Sequence, residues 1–280
     1  MSEIEKKTEI CRDCHKEYEA HIGKIAGMTL DFSHGYCPAC RQKRYDEEEA
    51  KELATNLAKI RNTREQWRRE QIPLRFQASR FDRFDISVDK SIQKSWKICK
   101  DYADKFLCDQ PRKSPSLVLY SNKIWGVGKT YLACSIAHAI LDKWNGETES
   151  CPICFVSEPD LFLRLRATYN RHSGDGGETE EQVYSPLLSA PLLILDDVGK
   201  EEVTDPRFVQ RVLFAVINGR YDSMLPIIIT ANLDTEGLDR HLGADRDNGA
   251  SMNRLAEMTG NIFYELNGDS YRDFSKRKIK

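Results

Sequence analysis

The sequence predicts an α/β protein: a largely parallel sheet flanked by helices, preceded by a small cysteine-rich module and a charged helix. Three observations predict it. From Leu117 onward, short apolar runs alternate with longer amphipathic ones, the pattern of βαβ units. Two Cys-x-x-Cys pairs, Cys11/Cys14 and Cys37/Cys40, stand near the N-terminus. Between these regions, Arg41 to Gln71 contains neither proline nor glycine and only a thin apolar stripe of Leu53, Leu57, Ile60 and Trp67, which reads as a solvent-bathed helix. The expected divisions are residues 1–40, 41–72 and 73–280.

The module comes first. Each cysteine pair presents two thiolates to one ion, and two pairs complete a tetrahedron around Zn²⁺. The 22 residues between the pairs slightly exceed the usual spacer, but a longer loop costs only modest closure entropy. A segment so poor in large apolar residues could hardly fold without a metal. Cys11, Cys14, Cys37 and Cys40 are therefore the expected ligands of a structural zinc, with His15, His21 and His34 nearby as substitutes. The alternative is a set of reduced cysteines packed in a small core. Of the other five, Cys151 and Cys154 begin a strand without a second pair of their own. They read as ordinary strand cysteines. Cys99, Cys108 and Cys134 read as small apolar groups on helices.

Nine cysteines suggest no disulfide framework here, because the chain reads as cytoplasmic. MSEIEKKTEI lacks the apolar core of a signal peptide, and no apolar run reaches the roughly 18 residues of a membrane span. The formal net charge of −2 gives no general case for nucleic-acid binding. The acidic DEEE at 46–49 and the basic KRKIK at 276–280 read as solvated surface.

Pro73 ends the charged helix, and IPLRFQASRFDRFD reads as irregular. A helix is expected over Lys90–Cys108, then a strand at LVLY (117–120) and a helix over Lys129–Trp144. ICFVS (153–157) is a strand and PDLFLRLRATYN a helix. RHSGDGGETEE (171–181) is a polar loop, expected to be mobile. LLILDD (192–197) is a strand, Phe208–Tyr221 a helix, PIIITAN (226–232) a strand, and NIFYELNG adds a last short strand.

Three strand ends carry chemistry. SNKIWGVGKT (121–130) ends as a phosphate-binding loop does, with strand before and helix after. Its main-chain N–H groups would wrap phosphates at a helix N-terminus, Lys129 would add charge, and the Thr130 hydroxyl would bind Mg²⁺. Gly126 and Gly128 keep side chains out of the phosphate space, with Val127 between them. The pattern's first glycine is Lys123 here, a departure expected to bend the loop entry and to affect affinity and turnover rather than fold. LLILDD sets Asp196 and Asp197 at the C-terminal sheet edge, where ligands of open α/β sheets bind. Asp196 would hold Mg²⁺ and Asp197 would polarise the attacking water. Asn232, ending IIITAN, would orient that water or touch the outer phosphate.

GVGKTYLA, LLILDDVGKE, IIITANL, MNRLAEM and GDSYR, in this order, resemble the AAA+ ATPases of the DnaC/DnaI helicase-loader and IstB transposition-helper group. The likeness spans roughly Ile72 to Arg272. It implies a Mg²⁺-dependent ATPase. Lys129 and Thr130 match Walker A, Asp196 and Asp197 match Walker B, and Asn232 matches sensor 1. Arg254 matches the arginine that reaches a neighbouring subunit's ATP, so the resemblance implies a homo-oligomer assembled with ATP. Arg272 is the candidate sensor 2 residue. A zinc module in front resembles the DnaI arrangement, in which the front domain contacts the replicative hexameric helicase. The expected function is an ATP-dependent helicase loader that holds single-stranded DNA. The alternatives are a transposase helper and a weakly hydrolysing zinc-bearing adaptor.

Overall fold

The computed structural model describes residues 4–25, 28–31, 33–87, 90–122, 124–169, 177–199, 205–243, 249–268 and 270–271. Lys123, Arg272, the KRKIK tail and most of the polar loop at 171–181 lie outside them. Two compact units emerge, Met1–Asn62 and Thr63–Lys280.

The first unit is an antiparallel sheet of β1 (Ile4–Ile10), β2 (Glu17–Ile25) and β3 (Met28–Asp31) in that spatial order. Helix α1 (Pro38–Gln71) follows and continues into the second unit. Pro38 suits a first helical position, where the missing N–H would have no partner anyway. The small core consists of Cys11, Tyr18 and Ala20, with Tyr36, Cys37 and Cys40 packed against it. None of these strands was expected. IEKKTEI carries charged groups on both faces and lacks the period-2 alternation of a half-buried strand; EYEAHI does alternate, with Tyr18, Ala20 and Ile22 on one face, but three apolar positions, one of them alanine, make a weak signal.

In the second unit, α1 ends with Trp67 edge-on to Trp144, ring centroids 4.5 Å apart, and with Arg68 paired to Asp142. Arg68 is the one buried residue along α1, in keeping with a solvated helix. Two 3-10 turns at 74–76 and 81–83 replace regular structure over the aromatic-basic run. The elements then run α2 (Lys90–Lys105), β4 (Leu117–Tyr120), α3 (Lys129–Lys143), β5 (Ile153–Ser157), α4 (Glu158–Tyr169), α5 (Glu180–Ser189), β6 (Leu192–Val198), α6 (Pro206–Asp222), β7 (Ile227–Ala231), α7 (Thr235–Leu242), α8 (Ala250–Met258) and β8 (Phe263–Glu265). Helix α2 stops before Cys108 because Phe106 and Cys108 turn inward, 1% and 4% exposed. Helices α5 and α7 escaped expectation because they are short. One carries Pro186 inside and is held by a Thr179–Gln182 capping box; the other lies between an Asp234 cap and left-handed Gly243.

The sheet order is β5-β6-β7-β4-β8, with every described pair parallel. All strands therefore end on one edge, and the crossover helices cover both faces. Strand β7 lies between β4 and β6, so Asn232 stands between the loop after β4 and the acids of β6. The opposite edge is tied by Arg220, fully buried on α6. Its guanidinium donates to the carbonyls of Leu187 at 2.7 Å, Ala190 at 3.0 Å and Pro226 at 2.6 Å. Burial brings its pKa down to about 10. Arg220→Ala would strand these carbonyls, and urea unfolding should show a loss of about 3–5 kcal/mol. Lysine lacks the planar fork and should rescue little of it.

Candidate nucleotide site and cysteine centre

The chain leaves β4 into a loop held by local bonds. Ser121 Oγ donates to the Ile124 carbonyl at 3.1 Å, and Asn122 Nδ2 to Asp234 Oδ2 at 2.9 Å. Gly126 and Gly128 have φ of 84° and 98°, the left-handed region glycine occupies without strain. At Gly128 there is no room either, since a Cβ would lie 2.7 Å from the Phe84 ring. Gly128 caps α3 with no side-chain bond, so the first N–H groups of the helix face the loop as an anion cradle. Lys129 opens the helix and is buried to 6% exposure, while Val127 is fully buried beneath the loop.

The acids sit in a bulge. Leu195 pairs with Ile229 and Val198 with Ala231, so β6 carries one residue more than β7 over this stretch. Asp197 takes the left-handed conformation, φ 58°, and the bulge re-aims its side chain. Thr230, fully buried, binds both acids: its hydroxyl accepts from the Asp197 N–H at 2.9 Å and donates to Asp196 Oδ1 at 2.6 Å. Asn232 Nδ2 donates to Asp197 Oδ1 at 3.3 Å.

A cavity of about 500 Å³ brings Gly126, Val127, Gly128, Lys129 and Thr130 together with Asp197 and Asn232, a size suited to a nucleotide. Its other wall is Arg75, Arg83 and the rings of Phe84, Tyr131 and Tyr271. Phe84 lies 5.2 Å from each of the two tyrosine rings. Asp196 does not line the cavity; it is 5% exposed and engaged by Thr230. Arg254 is away from it as well, on α8, with its guanidinium 5.4 Å from the Phe214 ring centre and 5.8 Å from that of Tyr221. Sequence reasoning missed Thr230, whose signal is a lone hydroxyl in the apolar run IIITA. It also missed the aromatic wall, signalled by the phenylalanines of RFDRFD.

Phe76, another lining residue, is tied to α3 by His138, whose Nε2 lies 3.1 Å from the Phe76 carbonyl. A carbonyl accepts, so Nε2 carries the hydrogen. Nδ1 is buried without a partner among the described residues. Burial pushes the His138 pKa down to about 4. A depressed imidazole pKa means the unfolded chain takes up its proton first. Stability should be complete above pH 6.5 and fall by up to about 3 kcal/mol towards pH 4. Urea titrations across this range should show the slope, and His138→Gln should flatten it.

In the first unit, the sulfurs of Cys11, Cys14, Cys37 and Cys40 all lie within 4.8 Å of one another, the one such group among the described residues. The three histidines stand outside it. Left-handed His15 and His34, φ 56° and 54°, turn the chain after the first pair and before the second. The Cys37 N–H points at Cys11 Sγ, 3.3 Å away. Arg44 fixes the first pair from α1, donating to both Asp13 oxygens at 2.7 and 2.8 Å. Burial opposes ionisation of Cys11, but the N–H groups of Cys37, Cys14 and Asp13 outweigh it and bring the thiol to about 6. Bonds from Cys14 and Cys37 push Cys40 up to about 12. Thiols this close do not ionise together without a cation, so the donor set fits a tetrahedral zinc. Cys99, Cys108 and Cys134 are buried free thiols, and Cys151 and Cys154 are half-buried.

With the glycine loop after β4, the acids after β6 and Asn232 on the strand between, the second unit has a P-loop nucleotide-binding fold. The chain belongs to the IstB-like ATP binding protein family, whose model matches residues 51–279. It is 26% identical over 196 residues to the replicative helicase loader DnaC of Buchnera aphidicola subsp. Acyrthosiphon pisum (strain APS), covering 70% of each chain. It is 29% identical over 147 residues to the uncharacterized protein YdaV of Escherichia coli (strain K12), covering 52% of each. A crystal structure of DnaI superposes with a TM-score of 0.55 at 23% identity, over 72% of this chain and 94% of that one. The DnaC helicase loader does so with 0.54 at 22%, over 70% and 100%. These two structures share the fold. No helix of the described residues is long and apolar enough to cross a membrane.

Proposed function

We propose that the protein is an ATP-dependent loader of a replicative hexameric helicase that also binds single-stranded DNA. The observation that carries this reading is the cavity in which Lys129 meets Asp197 and Asn232, in an ATP-binding family whose relatives here include replicative helicase loaders. The N–H groups of 126–130 receive the phosphates, and Lys129 neutralises the outer ones. Thr130 would hold Mg²⁺, with Asp196, set back from the cavity and bonded to Thr230, reaching it through water; when bound, the ion would offset the charge spread over the transferring phosphoryl oxygens. Asp197 takes hold of the attacking water and Asn232 orients it. Arg254 acts on the nucleotide of a neighbouring copy, so turnover follows homo-oligomer assembly, and Arg272 contacts the nucleotide of its own chain. The four cysteines hold a structural zinc in residues 1–40, the part that grips the helicase. The helix of 41–72 joins it to the ATPase domain of 73–280.

Affinity capture with the full chain, with and without ATP, tests the client: a hexameric helicase supports the reading and a transposase contradicts it. Single-stranded DNA binding of the ATP-bound protein should weaken steeply as salt rises. Binding indifferent to both salt and nucleotide counts against the proposal.

A further inference from the structure

Asp197 holds the left-handed backbone conformation, φ 58°, which aspartate tolerates better than most residues with a Cβ but which its surroundings must still hold in place. Thr230 fixes the bulge from the β7 side. From the β5 side, the fixing group is Glu158, the first residue of α4. Its Oε2 accepts the N–H of Gly199 at 2.8 Å, two residues beyond Asp197. Gly199 is itself left-handed, φ 78°, with the Leu233 side chain 2.2 Å from where a Cβ would stand. Glu158 is fully buried, and its other oxygen, Oε1, lies 2.7 Å from Nε2 of His241 on α7.

A buried carboxylate loses its hydration and adds nothing to the pairing of β5 with β6 that an apolar side chain would not supply. Its two bonds instead have a geometric effect. His241 sets the carboxylate, the carboxylate sets the Gly199 amide, and the amide sets the exit of the bulge that aims Asp197. Neither Glu158 nor His241 lines the nucleotide cavity. Resting on the reading of this site as one that hydrolyses ATP, we propose that Glu158 and His241 are positioning residues for hydrolysis: a clamp that keeps Asp197 aimed at the attacking water and leaves nucleotide affinity untouched.

The test uses the full chain and its Glu158→Ala, Glu158→Gln, His241→Ala and His241→Gln variants. Steady-state turnover gives kcat and KM, calorimetry gives ATP affinity, and hydrogen exchange reads the amides of 196–199. Glu158→Ala should lower kcat about 10- to 100-fold, with KM and affinity changed less than about twofold. Its Gly199 amide should exchange at least about tenfold faster while β4 amides are unaffected. Glu158→Gln keeps an oxygen for Gly199 and should recover most of kcat. His241→Gln keeps a donor and should outperform His241→Ala. An unchanged kcat in Glu158→Ala overturns the proposal, as does a parallel loss of kcat, affinity and global protection. If the wild type does not turn over ATP, the ATPase reading fails. Exchange then decides the clamp alone, and an unaltered Gly199 amide overturns it.

Discussion

Lys129→Ala should abolish ATP turnover, by at least about 10²–10³-fold, while the protein stays folded. The argument is local. Lys129 sits on the first turn of α3, almost out of solvent, beside a helix end with no side-chain cap. Main-chain N–H groups can hold phosphate oxygens, but within the loop and helix end themselves the Lys129 ammonium is what adds a full positive charge, Arg75 and Arg83 standing on the other wall. In a partly dehydrated site a unit charge is worth several times its value in water. A large loss in kcat/KM with an unchanged far-ultraviolet spectrum is the expected result. Asp197→Asn should behave differently. It keeps the shape and the Asn232 neighbour but loses the carboxylate, so nucleotide still binds while kcat falls. Equal rates in wild type and Lys129→Ala would favour the adaptor reading, in which the cavity does no chemistry.

Zinc removal should unfold the first unit. The core of the first unit is Cys11, Tyr18 and Ala20 with two further cysteines against it, too small to hold three strands. Structural zinc contributes on the order of 10 kcal/mol or more to such folds. Treatment with a strong chelator should therefore unfold residues 4–40, read as loss of amide protection there, and leave the second unit's thermal transition in place. Cys11→Ser or Cys40→Ser should do the same, releasing about one equivalent of zinc. Protection in residues 4–40 that survives complete metal removal would mean that the four thiols are only packed.

Both predictions rest on features legible in the sequence, because they are local. A phosphate loop needs glycines next to a lysine at the start of one helix, and a thiolate pair needs two cysteines within one turn. The central strands were legible for a related reason: buried on both faces, they carry the continuous apolar runs LVLY, LLIL and III. What escaped depends on contacts between distant segments. The bulge at Asp196–Asp197 exists only as a mismatch between β6 and β7. Thr230 matters because its hydroxyl reaches two acids on the next strand. Glu158 and His241 meet across more than 80 positions of sequence. In the first unit IEKKTEI is charged on both faces, and the next strand offers only Tyr18, Ala20 and Ile22 as an alternating apolar face. Lys123 and Arg272 remain sequence expectations, both outside the described residues.

The central claim is that Mg²⁺-ATP is held by the loop of Gly126–Thr130 at the rim shared with Asp197 and Asn232. Isothermal titration of the full chain with Mg²⁺-ATP tests it most directly. The expected result is saturable heat at about one nucleotide per chain, lost in Lys129→Ala and retained in Asp197→Asn. No heat of binding with titrant in the millimolar range, or equal heat from wild type and Lys129→Ala, would contradict it.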